Sequence, residues 1–478
     1  MRRLDQEALA ALPRHVRRPS YDREAVETGI VHFGPGAFHR AHQADYVDRL
    51  LAQDPRWGIA AVSMRSAQTV ERLARQNGLY TLAILDAEPD FRVLGPHTRF
   101  VGPRDHEAVA QLLSDPHVRI VSSTVTEKGY CLAPDGSLDF DHPDIAHDLQ
   151  HPEQPLSLVG WLALGLGLRR RSDTPAFTPL CCDNMNDNGR KLGAAVAAFA
   201  ARLDPELGAW IRGEVRFPNS MVDSITPATD DRTLEIVRQE LGVEDCVPVR
   251  RESYAAWIIE DALPNGSPDL ASVGAILTDD VAAYELAKLR ILNGAHSSLA
   301  YTGLLLGHET MFDAMQDKAL CAFARLLIEQ DVIPTLSGCS VNLPAYTSEI
   351  FERFRNPAIG HKLAQIAWDG SQKLPYRLLG TIDDAITAGR PLRRLSVPIA
   401  AWMLFVEREA RSGTRIVDPL GPELAVIGCS DDAPERLLDL RQIFPERLAT
   451  NARLRTEIFR ARDVMRSQGV GALLGEGM

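Results

Sequence analysis

Apolar residues recur along the first half of the chain in short runs: "GIVHFG" (29–34), "WGIAAVSM" (57–64), "LYTLAIL" (79–85), "VRIVSSTVT" (118–126) and "AFTPLCC" (176–182). Helix-like stretches separate several of them, such as Arg40–Ala52 and Ala67–Asn77. Such strand–helix alternation predicts a parallel sheet with crossover helices. Beyond about residue 278 the apolar spacing changes to three, four and seven. Examples are "KALCAFARLLIEQ", "SEIFERFRN", "APERLLDLRQIF" and "LRTEIFRARDVMRS". That periodicity belongs to helices. The pattern predicts an α/β protein. A Rossmann-like domain over 1–277 would be followed by a mostly α-helical domain over 278–478. Thr278 or Asp279 would cap the first helix of the second domain, which would run to about Gly307. The stretch 285–301 then lies at the domain seam, where ligand sites are common.

The segment "IVHFGPGAFHRAHQADYVDRLL" places Gly34 and Gly36 directly after a β run and directly before a helix. In that context the first glycine allows a tight turn and the second lets the backbone approach a pyrophosphate. Helix amides beyond it, beginning with Ala37 and Phe38, would face the phosphate charge. The third fingerprint position holds His39 rather than glycine. NAD sites often carry an acid at the end of the second strand for the ribose hydroxyls. Here that strand ends in "VSMRSAQ", with Arg65 and Ser66. These residues leave the choice between NAD and NADP open, because Arg65 could hold a 2′-phosphate.

The first helix of the second domain reads "ELAKLRILNGAHSSLAY". On an ideal α-helix Glu285, Lys288, Asn293 and His296 fall within an arc of about 140°. Glu–Lys pairs at this spacing also decorate solvated faces, but Asn and His are poor helix formers and the flanks are apolar. An amine, an amide and an imidazole together match carbonyl reduction. One group must give a proton to the oxygen as hydride arrives, and another must stabilise the developing alkoxide.

Composition narrows the partners. The net charge of −12 argues against a nucleic-acid partner, although two or three local cations suffice for an anionic substrate. The seven cysteines are scattered, with no zinc-type spacing. No disulfide framework or metal site is expected, and His39 and His42 read as cofactor-side or packing residues. No apolar run approaches the ~20 residues needed to span a bilayer. The expectation is a cytoplasmic protein without membrane or nucleic-acid partners.

Several separate blocks resemble the long-chain mannitol dehydrogenase family, which includes polyol dehydrogenases and fructuronate reductases. "GPGAFHRAHQADY" resembles the family's glycine turn, and "KLRILNGAHS" its K-x-x-x-x-N-x-x-H signature. "CCDN", "MVDSITPAT" and "DGSQKLP" resemble three further blocks, and together they span roughly residues 29–400. The resemblance implies a metal-independent, NAD-dependent oxidoreductase. Lys288 would be its acid/base, and Asn293 and Asn184 would polarise the substrate oxygen. His296 and Asp223 would bind substrate hydroxyls, with Glu285 on a proton path to water. "TVTEKGYC" and "QIAWDGSQKLPYRLL" look closer to the fructuronate reductases than to the mannitol dehydrogenases. A keto-hexuronate carries a carboxylate that a hexitol lacks, and Lys128, Lys373 and Arg377 are its candidate partners. The resemblance also implies a small sugar-acid or polyol substrate and a monomer.

Overall fold

The computed structural model describes residues 2–86, 88–336 and 338–475. The chain divides after Ala282 into two compact units.

The first unit contains strands β1 (Thr28–Phe33), β2 (Gly58–Val62), β3 (Tyr80–Leu85), β4 (Asp90–Leu94), β5 (His97–Val101), β6 (Ile120–Ser123), β7 (Thr178–Cys181), β8 (Ser220–Asp223), β9 (Val249–Glu252), β10 (Ala256–Glu260) and β11 (Ile276–Thr278). Five of them form a parallel sheet in the order β5-β2-β1-β6-β7. Its central strands are buried on both faces, and their alternating side chains feed two apolar clusters. Val31, Phe33, Val62 and Val121 join one, with helices His106–Ser114, Leu158–Arg171 and Asn188–Leu203. Ile30, Ile59, Ile120 and Leu180 join the other, with helix Gln43–Leu50 and Leu73 of helix Gln68–Arg75. This is the doubly wound arrangement, in which strand order reverses beside β1.

One expected strand lies elsewhere. The run 79–85 forms β3, but β3 pairs antiparallel with β4 and parallel with β9 in a separate three-stranded sheet. The connection from β3 to β4 is too short for a parallel crossover, so the two make a hairpin. The outer place in the main sheet goes to β5, whose half-exposed "HTRFV" carries no apolar run. A third sheet has the order β11-β10-β8.

The second unit is built on helices around one apolar core, with Trp402, Phe351 and Phe444 among its buried side chains. Long elements are Leu343–Phe354, Ser396–Ser412 and Ala452–Gln468. The expected unbroken first helix is instead three pieces. Val281–Ala287 and Gly294–Leu306 are α-helical, and Lys288–Asn293 between them is a π turn. Gly307, at φ +89°, ends the run with a left-handed cap. Two further π turns, Leu327–Val332 and Pro375–Leu379, pack against the first.

Candidate active site

Gly34 follows β1 in the left-handed region, at φ +87°. A Cβ there would come within 2.2 Å of the Thr124 carbonyl oxygen, so both conformation and packing demand glycine. At Gly36 a Cβ would meet only the Gly34 carbonyl oxygen, at 3.9 Å. The protein itself therefore leaves room over this residue. Gly36 caps the short helix Ala37–Ala41, and among the described residues no group accepts from the amides of Ala37 or Phe38. A cavity of about 290 Å³ opens here, lined by Gly34, Pro35, Gly36, Ser63, Arg65 and Thr124 among others. It sits beyond the carboxyl ends of β1, β2 and β6, where doubly wound sheets receive dinucleotides. The glycine cradle, open amides and cavity fit such a group.

Beneath the turn lies a stack of imidazoles. His32 and His39 stack at 3.5 Å, and His39 Nε2 is 3.1 Å from His97 Nε2. All three are buried. His42 packs against Phe38 and bonds the Ala256 carbonyl through Nε2. His39 and His42 thus make packing contacts, one of the two roles expected for them.

The loop after β6 carries Lys128, which is exposed, and the left-handed Thr126 and Cys131. Asp183 of the "CCDN" block holds this loop. Its carboxylate accepts from Val125 N at 2.8 Å, Thr126 N at 3.1 Å and Tyr130 Oη at 2.6 Å. Burial raises its pKa, opposed by these bonds. Asn184, next in sequence, is exposed beyond the end of β7, and Asp223 is buried at the end of β8.

In the second unit, Lys288 and Asn293 are the first and last residues of the π turn, and both are partly buried. Five residues on an α-helix would set their side chains about 140° apart. A turn closed by i→i+5 bonds takes more residues, which brings the two positions closer to one face than an α-helix would. Gly294, which follows the π turn, has ordinary helical dihedrals. Its function is close packing, since a Cβ would lie 3.1 Å from the Arg377 carbonyl oxygen. Glu285 lies one turn before Lys288 and is partly buried.

His296 is buried and stacks on Phe354 at 4.4 Å, with the His361 ring edge-on at 5.5 Å. Its Nε2 has no hydrogen-bond partner among the described residues. Its pKa is pushed well below the usual imidazole value, by burial first and then by His361, Arg377, Arg353 and Lys373. The ring is therefore neutral, with one nitrogen open to a hydroxyl. Among the described residues Lys373 donates only to the Ile366 carbonyl, at 3.3 Å, and Arg377 only to Ser297 Oγ, at 3.3 Å. Neither makes an ion pair with a described carboxylate. Burial, and then Arg377, lowers the pKa of Lys373.

Sequence reasoning missed His361 and Arg353, because a loop histidine and a helical arginine carry no periodic signal. It also missed Asp144, which lines the first-unit cavity and lies 3.8 Å from Arg65. Among the described residues one Cys/His/Asp group, Cys131, His142 and Asp144, has its potential ligand atoms within 4.8 Å of one another. The thiol pKa is pushed up to about 12, chiefly by burial, and His142 Nδ1 already accepts from Asp144 N. All seven cysteines are free, and no described helix is long and apolar enough to cross a membrane.

Residues 28–272 match the mannitol dehydrogenase Rossmann domain, and residues 280–465 match the mannitol dehydrogenase C-terminal domain. The chain is 41% identical to D-mannonate oxidoreductase of Escherichia coli K12, over 91% of this chain and 93% of that protein. Among solved structures it resembles Pseudomonas fluorescens mannitol 2-dehydrogenase in ternary complex with NAD and D-mannitol. The TM-score is 0.83 at 34% identity, covering 99% and 98% of the two chains. It also resembles a substrate-free D-sorbitol dehydrogenase, with TM-score 0.93 at 32% identity, covering 99% of this chain and 100% of that one.

Proposed function

The chain belongs to the mannitol dehydrogenase family of oxidoreductases, and from that premise we propose that it interconverts D-fructuronate and D-mannonate with NAD. The observation that carries this reading is the cationic set around His296. Lys373 and Arg377 are partly buried, make no ion pair with a described carboxylate and sit with Arg353 and His361 beside a neutral imidazole. A chain of net charge −12 that concentrates cations here is suited to an anionic substrate. Carboxylates form strong charge-assisted bonds with such groups. The identity to D-mannonate oxidoreductase adds support. Lys128 belongs to this proposal only as an exposed cation on the β6 loop.

The nicotinamide supplies hydride in one direction and accepts it in the other. Lys288 would give a proton to the C2 oxygen during reduction and take it back during oxidation. Asn293, at the far end of the same π turn, would donate a hydrogen bond to that oxygen. His296 Nε2 would bond a substrate hydroxyl, and Glu285 would relay protons between Lys288 and water. The roles of Asn184 and Asp223 in holding substrate rest on the family resemblance. Gly34, Gly36, Ala37 and Phe38 would cradle the pyrophosphate, with Arg65 at the adenosine end.

The test compares D-fructuronate with D-fructose, which share the C2 carbonyl and differ at C6. Charge-assisted bonds are worth roughly 1.5–3 kcal/mol, so kcat/KM should favour fructuronate by at least about tenfold. Lys373→Met should remove most of that preference and leave fructose almost unchanged. A wild-type preference for fructose or mannitol would instead assign a polyol dehydrogenase, as the likeness to mannitol 2-dehydrogenase also allows.

A further inference from the structure

We infer that Asp144 is the residue that selects NAD over NADP, an inference resting on the dinucleotide reading of the first-unit cavity. The second strand ends without an acid: Ser63, Met64, Arg65 and Ser66 follow β2 and line the cavity. That edge is where dinucleotide folds receive the adenosine ribose. An acid there binds the 2′-hydroxyl, and an arginine there accommodates a 2′-phosphate. Taken alone, Arg65 therefore favours NADP.

The missing acid comes from another element. Asp144 lies in the first turn of helix Pro143–Gln150 and lines the same cavity. Its Oδ2 is 3.8 Å from Arg65 Nη2. Its main-chain amide is bonded to His142 Nδ1 at 3.2 Å, which fixes the turn that carries it. The carboxylate can accept from a ribose hydroxyl. A 2′-phosphate would bring at least one more negative charge against it and compete with it for Arg65. Arg65 is 84% exposed, so the pair is screened and weak. The arginine is free to turn toward a phosphate once the carboxylate is neutralised. Asp144 thus opposes the phosphate directly and also occupies its natural partner.

The test measures Kd for NADH and NADPH by nicotinamide fluorescence, in wild type, Asp144→Asn, Arg65→Ala and the double variant. Thermal melts would confirm that each variant is folded. Wild type should bind NADH more tightly. Asp144→Asn should tighten NADPH by about tenfold, the size of one charge-assisted contact, and change NADH by much less. The gain should shrink at high salt and be smaller when Asp144→Asn is made in the Arg65→Ala background, where only the direct repulsion is relieved. An unchanged NADPH-to-NADH ratio in folded Asp144→Asn overturns the assignment, as does tighter NADPH binding by wild type. If wild type binds neither dinucleotide, the reading of the cavity fails, and this inference with it.

Discussion

The side chains proposed for chemistry differ in how far the protein has already committed them. His296 is fixed, being buried, neutral and stacked on Phe354 with His361 edge-on beside it. Lys288 is only partly buried and has reach. A proton donor must move charge during turnover, whereas a hydroxyl-binding imidazole works best when rigid. Lys288→Ala should therefore lower kcat by at least about a hundredfold, the usual contribution of general acid–base catalysis. NADH affinity, measured by fluorescence titration, should stay within about twofold, because the dinucleotide residues proposed here lie in the first unit. A Lys288→Ala enzyme with wild-type rates at neutral pH would remove the amine from this role.

At the scale of elements, the π turn is the feature that changes the site most. It gathers Lys288 and Asn293, and it is packed by the π turns Leu327–Val332 and Pro375–Leu379. Arg290 anchors it to Thr335 and pairs with Asp384 at 2.6 Å. Gly294 is the contact point, so Gly294→Val should force the segments apart. Overpacking typically costs about 1–3 kcal/mol. Loss of kcat alongside a lower Tm is the expected outcome. An unaltered kcat in a folded variant would mean that this packing does not position the site. None of this was legible in the sequence. A reading at 3.6 residues per turn gives an amphipathic helix over 285–301, and tertiary packing decides that one turn widens. The β1–glycine–helix unit was legible because apolar run, Gly34 and helix are contiguous. The exchange of β3 for β5 in the main sheet was not, because connection length, not strand character, rules out a parallel neighbour. Asp144 and His361 were hidden for a related reason. Each reaches its site from a segment whose local sequence announces only a cap or a loop.

At the scale of the molecule, the buried imidazoles tie the stability of the dinucleotide-binding unit to pH. Burial pushes the pKa of His32 and of His97 down to about 3, and that of His39 well below its ordinary value. In the unfolded chain each titrates near 6.5. Between these values the unfolded chain binds more protons than the folded one. The stability these imidazoles contribute is therefore complete above about pH 7 and falls as pH drops through about 6.5. The structural cause is visible in the His39–His97 contact. Two ring nitrogens 3.1 Å apart need one lone pair between them, and protonating both rings removes it. Asp48 acts in the opposite sense. Burial raises its pKa to about 6, so its protonation below that pH favours the folded state. Burial raises the pKa of Asp183 and Asp245 as well, so these carboxyls offset part of the imidazole effect, which a single substitution isolates. His97→Phe keeps an aromatic ring beside Tyr80 and Phe100 and deletes one titrating group. Its unfolding free energy should change less steeply below pH 6.5 than that of wild type, by about 1.4 kcal/mol per pH unit, the worth of one proton. Urea unfolding at pH 7.5 and 5.5 reads the difference directly. Parallel pH dependence in the two proteins would show that His97 is protonated equally in the folded and unfolded chains, and that the stack does not set the acid limit.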